Sequence, residues 1–448
     1  MLHAISRLDG RYAEKIQSLS PYFSEFGLIQ YRLKVEILYF LRLCETQVIP
    51  VKLDKDISNE LHNLWKNFDD HSAMKIKSIE RTTNHDVKAV EYFLKEQFNK
   101  FQLEDHSEFI HFGLTSQDIN NTAIPMLMKD FTHKVLLPKL GQIQSTLADL
   151  ATQWMGHAML ARTHGQPATP TTMGKEIMVF VNRLERQISL LNALEYSGKF
   201  GGATGNFNAH YAAFPKVNWQ TWADEFLNQD LDINRQPFTT QIAHYDEIAE
   251  WCHILIRIQS ILIDLCRDFW TYISMDYFKQ KIKPGEIGSS TMPHKVNPID
   301  FENAEGNLGI STAIASHLAE KLPISRLQRD LTDSTVLRNL GVPAGHLMIS
   351  LLSIEKGLSK LLLNESKLRD DLENNWAVLA EPIQTILRRE GYKNPYELLK
   401  ELTRVNQQIN QEHVQKFILS LDIPEGVKNE LLALRPDNYL GYLRSPNK

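Results

Sequence analysis

Residues 246–277 read DEIAEWCHILIRIQSILIDLCRDFWTYISMDY, and their period decides the fold. Ile248, Trp251, Leu255, Ile258, Leu262, Leu265, Phe269 and Ile273 recur at steps of three and four, the spacing of an α-helix. Apolar residues occupy more than one face, so this helix is expected to be surrounded by others. Arg257, Gln259, Asp264 and Arg267 interrupt it, so it falls short of the roughly 18–20 apolar residues of a membrane span. A second amphipathic run starts at Met173 with Ile177, Phe180, Val181, Leu184, Ile188, Leu191 and Leu194. Thr132–Met155 and Leu340–Leu363 supply two more. At ~1.5 Å per residue, a helix of about 30 residues is about 45 Å long, so several imply a long bundle. The expected class is all-α. Phe238–Ile242 is a short stretch that reads as extended, and nothing suggests a sheet core.

The whole chain has 448 residues, 43% hydrophobic and 23% charged, enough for a sizeable core and too long for one ordinary domain. Three helical domains are expected: 1–111, a central long-helix bundle over 112–362, and a C-terminal domain over 363–448. Asn394-Pro395-Tyr396-Glu397 reads as a helix start in the last of these. Lys and Arg number 49 against 54 Asp and Glu, a net charge of −5, which argues against a nucleic-acid binder. Cys44, Cys252 and Cys266 show no metal-type spacing and read as buried thiols in a reducing compartment. The start of the chain has no basic stretch followed by an apolar run. A cytoplasmic protein, neither in nor on a membrane, is the expectation.

Three polar loops carry the chemistry. Gly288-Ser289-Ser290-Thr291-Met292-Pro293-His294-Lys295-Val296-Asn297-Pro298 breaks helical structure with its glycine and prolines and bunches hydroxyls, a cation and an amide. Such a set suits a carboxylate or developing negative charge, although an interhelical connector would also read this way. Arg162-Thr163-His164-Gly165-Gln166-Pro167-Ala168-Thr169-Pro170 fixes a histidine in a rigid loop. Imidazole titrates near neutrality, which suits proton transfer, but a structural histidine is the plainer alternative. Gly113-Leu114-Thr115-Ser116-Gln117-Asp118 is a helix start whose hydroxyls and free N–H groups suit an anion, or simply cap the helix. The stretch Gly198–Asn206 lacks the lysine-hydroxyl ending of a phosphate loop and reads as a tight turn. No histidine pair has zinc-like spacing, so no metal or other cofactor is expected.

Together the three loops resemble the fumarase/aspartase superfamily of β-elimination lyases, whose marker Gly-Ser-Ser-x-Met-Pro-x-Lys-x-Asn-Pro is matched at 288–298 without departure. Within it, residues 162–170 are similar to the adenylosuccinate lyase family, while fumarases and argininosuccinate lyases typically carry Leu at the place of Gly165. Arg11-Tyr12, Thr83-Asn84-His85-Asp86 and the stretch from Ser325 to Arg338 support the same family. The resemblance spans about residues 5–400. It implies cleavage of a C–N bond with release of fumarate from succinylated purine nucleotides. Another fumarate-releasing lyase, or a non-catalytic structural relative, is the alternative.

By that resemblance Ser289 is the base and His164 the general acid, with Glu302 as the carboxylate partner of the histidine. A solvated helix face is the plain reading of Glu302. Lys295, Asn297, Thr115, Ser116 and His85 would hold the succinyl carboxylates. Arg11, Tyr12, Arg329, Ser334 and Arg338 would hold the phosphate and nucleotide end. Asn84, Asp86, Thr163 and Gln241 complete the implied substrate-binding set. Arg326 is close enough to Arg329 in sequence that either could be the contact. The resemblance further implies a homotetramer with active sites shared between chains, and a loop from about 282 to 297 that closes over substrate.

Overall fold

The computed structural model describes residues 2–281, 292, 295–403 and 409–443, with no side chains given for 401–403. It is all-α in character. The strands among the described residues are two or three residues long and pair only in twos. Two compact units form from interleaved segments: 1–140, 187–262 and 306–352 in the first, and 141–186, 263–305 and 353–448 in the second.

In the first unit, α1 (Glu25–Glu45) packs on a later helix, α4 (Ser116–Phe131), with α2 (Asp70–Thr83) and α3 (Asp86–Lys100) between them in sequence. Ser24 caps α1 by accepting from the Gly27 N–H at 3.0 Å. Asn84, left-handed at φ 50°, ends α2 and turns the chain into α3. Pro125 sits inside α4 and has no N–H for the Asn121 carbonyl. Gly198 lies against that carbonyl: a Cβ there would come within 2.7 Å of it. The helix start expected at 113–118 and the helical run expected from Thr132 are both realised, and they join: the chain is helical from Ser116, and Thr132–Leu136 forms one π-turn leading into α5 (Leu137–Gln153).

The other long helices are α6 (Met173–Asn192), α7 (Asp246–Ser274) and α8 (Ile299–Lys321). Then come the short α9 (Thr332–Leu337) and α10 (Gly341–Ser359). The sequence prediction for α7 holds: Asp246, Glu250, His253, Arg257, Ser260, Asp264, Arg267, Trp270, Thr271 and Ser274 form one exposed stripe, and the rest is buried or partly buried. In the first unit Gln259 donates to Ser311 at 2.6 Å and Ser311 to the Pro343 carbonyl at 2.8 Å, linking three helices. In the second unit Phe269 stacks on Phe301 at 5.4 Å.

Phe238–Ile242 is not a strand. Its backbone bonds go elsewhere, with Gln241 N–H donating to the Gln328 carbonyl at 3.3 Å. The nearby strand pairing is β5 (Ser197–Gly198) with β6 (Asn234–Arg235), in parallel. In the second unit α11 (Glu365–Glu373), α12 (Ala380–Arg389) and α13 (Pro395–Thr403) follow, with α13 opening on its proline. Trp376, Leu379, Ile383, Leu387, Leu399, Val414 and Ile418 form a small core of their own there. Cys44, Cys252 and Cys266 are free and buried, and burial pushes the Cys252 thiol up to about 12. No described helix is long and apolar enough to cross a membrane.

Candidate active site

Thr115 is the N-cap of α4, and its N–H donates to Asp118 Oδ2 at 2.8 Å. Asp118 Oδ1 accepts from the Gly201 N–H at 2.8 Å, the Gly202 N–H at 3.1 Å and Lys199 Nζ at 2.8 Å. Both side chains are 0% exposed. Charges so deep are tolerated only when paired and fully hydrogen-bonded, as these are. Burial pulls the Lys199 ammonium below its usual value, with Asp118 opposing. The glycine stretch that invites a phosphate-loop reading thus cradles an anion, but the anion is the chain's own carboxylate. Thr115 and Ser116 sit half-exposed above this layer, at the positive end of α4.

The segment entering α4 involves a partly buried histidine and a fully buried one, and their surroundings push the two imidazoles in opposite directions. His111 Nδ1 lies 2.6 Å from the fully buried Glu36 carboxylate. Burial alone would lower this imidazole, yet Glu36 outweighs it and holds the value above the ordinary one. Tyr39 donates its hydroxyl to the Phe112 carbonyl at 2.7 Å, so it accepts from His210 Nε2 at 3.1 Å. The proton of neutral His210 is therefore on Nε2, and among the described residues the buried Nδ1 has no hydrogen-bond partner. Burial pushes His210 down to about 4. Gly113, at φ 68°, passes directly over its ring, where a Cβ would lie 2.8 Å from the imidazole.

One turn further along, α4 reaches the segments that carry the nucleotide-end candidates. Asn121 Nδ2 donates to Tyr245 Oη at 2.9 Å, Tyr245 donates to Asp333 at 2.8 Å, and Asn121 Oδ1 accepts from Ala243 N–H at 2.6 Å. Arg329 donates to Gln241 Oε1 at 3.1 Å, bringing these two candidates into contact. Arg326 instead clamps Asp330 at 2.9 Å and is largely exposed. Ser334 and Arg338 line a cavity of ≈ 270 Å³ shared with Gln117 and Asn120. His85 caps α3, its Nδ1 accepting from the Lys88 N–H at 3.1 Å, which leaves the neutral ring's proton on exposed Nε2. Asn84 is exposed and Asp86 half-exposed beside it. Arg11 is exposed and Tyr12 half-exposed, immediately before the Ala13–Leu19 3₁₀ segment.

In the second unit, β2 (Arg162–Thr163) and β3 (Gln166–Pro167) pair antiparallel around a two-residue turn. The turn residues His164 and Gly165 have φ of 54° and 75°, the positive pair that a type I′ hairpin requires. His164 and Thr163 are exposed. The hairpin base is tied to the C-terminal segment: Arg162 donates to Asp371 at 3.1 Å, Tyr277 donates to Asp371 at 2.7 Å, and Thr169 donates to Glu381. Burial tends to raise the Asp371 carboxyl, but bonds from Tyr277, Lys367 and Arg162 hold it below its ordinary value.

Lys295 is exposed and Asn297 half-exposed, just before α8. Glu302, in the first turn of α8, accepts from Trp270 Nε1 at 3.0 Å; among the described residues it makes no bond to His164. Ser289 lies outside the described residues, as does most of the 282–297 loop. Among the described residues no cluster of His, Cys, Asp and Glu could hold a metal ion.

Residues 10–311 match the lyase family and residues 325–440 match the adenylosuccinate lyase C-terminal family. The chain is 55% identical to adenylosuccinate lyase of Dictyostelium discoideum, over 99% of this chain and 97% of the relative. The chain belongs to the adenylosuccinate lyase family. It is 50% identical to adenylosuccinate lyase of Escherichia coli K12, over 98% of this chain and 97% of that one. Among solved structures it shares its fold with a fumarate lyase from Mesorhizobium sp. BNC1, at TM-score 0.77 and 18% identity, covering 95% of each chain. A 3-carboxy-cis,cis-muconate lactonizing enzyme from Pseudomonas putida is similar at TM-score 0.76 and 20% identity, over 96% of this chain and 94% of that one.

As an adenylosuccinate lyase family member, this chain is a lyase. Motif reading missed the residues beneath the motifs: Asp118, Lys199, Asn121, Tyr245, Asp333 and Asp371. One signal was available. Gln117, Asp118, Asn121 and Thr122 are polar residues on helix faces otherwise filled by Ile119, Ala123, Ile124 and Met126, which marks a buried polar layer. Asp371 gave no such signal, because it lies in a charged stretch where any acid looks solvated.

Proposed function

We propose that this chain cleaves adenylosuccinate to AMP and fumarate, and the succinylaminoimidazole carboxamide ribotide to the aminoimidazole carboxamide ribotide, two steps of purine biosynthesis. The 55% identity to the Dictyostelium relative across nearly the whole of both chains carries this reading. Ser289 takes a proton from the carbon next to a carboxylate, giving a dianionic, enolate-like intermediate. The C–N bond then breaks, its electron pair leaves with nitrogen, and His164 protonates that nitrogen. A serine hydroxyl is a poor base at its free pKa, so its alkoxide needs stabilising by backbone N–H groups and Lys295. Glu302 orients and charges the imidazole in the assembled enzyme. No cofactor enters the scheme.

Lys295, Asn297, Thr115, Ser116 and His85 take the succinyl carboxylates, with His85 offering its Nε2 proton. Arg11, Tyr12, Arg329, Ser334 and Arg338 take the phosphate and nucleotide end, Arg329 through the fork of a guanidinium. Asn84, Asp86, Thr163 and Gln241 border the substrate. The division into 1–111, 112–362 and 363–448 belongs to the same reading. So does a cytoplasmic homotetramer with shared sites. Exposure of Val179, Leu190, Trp270 and Ile310 on the long helices supports partner helices from other chains.

Mixing the protein with adenylosuccinate and following loss of ultraviolet absorbance tests the activity; no change at any enzyme concentration rules it out. Ser289→Ala is expected to fold normally and lower kcat by about 10³-fold or more. Near-normal turnover would remove Ser289 as the base.

A further inference from the structure

Arg32, in the middle of α1, belongs to none of the motifs. Its side chain is only 5% exposed, and a guanidinium so placed must be neutralised and have its donors used. One terminal nitrogen donates to Asp86 Oδ2 at 2.6 Å, and Nε donates to Asn120 Oδ1 at 2.8 Å. Asp86 opens α3 directly after His85, and its other oxygen accepts from the Val87 N–H at 2.9 Å. Asn120 is one helical turn beyond Ser116. The same guanidinium side chain lines the ≈ 270 Å³ cavity with Ser334 and Arg338. Burial acts to raise the Asp86 carboxyl, yet Arg32 keeps it below its ordinary value, so the pair stays ionised at neutral pH.

We infer that Arg32 is a positioning residue: its fork fixes the start of α3, which carries His85, relative to the start of α4, which carries Thr115 and Ser116. Neutralising Asp86 would need only a charge nearby. The second bond, to Asn120, adds nothing to neutralisation and joins two helix starts that hold neighbouring parts of one dianionic substrate. A lysine supplies the charge without the planar fork and reaches one partner at a time. This inference rests on the proposed carboxylate-binding role of His85, Thr115 and Ser116.

The test is steady-state cleavage of adenylosuccinate by the full-length wild type, Arg32→Lys and Asn120→Leu, with thermal melting of each. Arg32→Lys is expected to raise KM about tenfold and change kcat less than about threefold, the pattern of lost uniform binding. Asn120→Leu keeps the Arg32–Asp86 pair intact and is expected to raise KM about threefold. The double variant is expected to be no worse than Arg32→Lys, because both changes break the same link. Unchanged KM in both variants, whatever happens to melting, overturns the inference, as does a collapse of kcat at constant KM. Should Arg32→Lys fail to fold, the KM of Asn120→Leu alone decides. An active wild type with unaffected variants defeats only the positioning role, whereas an inactive wild type defeats the functional reading on which it stands.

Discussion

At the start of α4, four donors converge on the Asp118 carboxylate, and neither it nor Lys199 touches solvent. At the tip of the β2–β3 hairpin, His164 stands exposed on a two-residue turn whose anchors lie at its base, on Asp371 and Glu381. Both regions carry candidate residues of one reaction, and they are held in opposite ways. Groups that bind a substrate's fixed charges gain from being locked before it arrives, because no ordering is left to do on binding. A proton donor on an exposed turn gains its low-dielectric surroundings only when something else covers it. The candidate binding end is thus built on burial within one unit, and the candidate catalytic histidine is left at a surface.

The largest expected effect tests the exposed side of this contrast. His164→Gln is expected to lower kcat by about 10³-fold, or about 4 kcal/mol, with KM near normal and melting unchanged, since among the described residues no buried group bonds to the ring. A raised KM at constant kcat would make His164 a binding residue and erase the contrast. The buried side is tested by Asp118→Asn, which strands the Lys199 ammonium. Denaturant unfolding is expected to show a loss of about 3 kcal/mol, and a loss below about 1 kcal/mol would mean that the layer is not what holds Thr115.

The two histidines beneath α4 sharpen the same comparison through pH. His210 is depressed to about 4 in the fold, so the unfolded chain takes a proton between about pH 6.5 and 4 that the folded chain refuses. Stability therefore falls as pH drops through that window, by about 2 kcal/mol at pH 5. His210→Gln is expected to flatten this part of the acid limb in urea titrations at pH 7 and pH 5; an unchanged slope would place the acid sensitivity elsewhere. His111 has the opposite sign. Its raised value gives stability that is fully present below about pH 6.5 and fades as pH rises through the folded value. The smallest effect concerns the hairpin turn. Gly165→Ala meets no neighbour within 4 Å, so its cost is that of the positive φ alone, about 1 kcal/mol. Melting is expected to shift by only a few degrees, while kcat reports any displacement of His164.

Much of this was legible beforehand because the signals are local. The three-and-four spacing of α7 reads directly as a helix buried on more than one face, and the motif residues announce themselves by type and order. The strand expected at Phe238–Ile242 was not realised, because Gln328 takes the Gln241 N–H and Asn121 takes the Ala243 N–H, partners about 90 and 120 residues away. The start of α4 was readable as a cap, but not as a cap whose carboxylate is shared with the glycine turn 83 residues on.

By itself, then, the sequence determined the all-α class, the long helices, the family and the candidate residues for its chemistry, since these follow from period, turn chemistry and residue type along the chain. Only the tertiary structure decided that Asp118 is fed by Lys199, Gly201 and Gly202, that His111 and His210 are pushed in opposite directions, and that Arg32 joins two helix starts. Burial and pairing between distant segments set those properties, and neither is written in the spacing of neighbours along the chain.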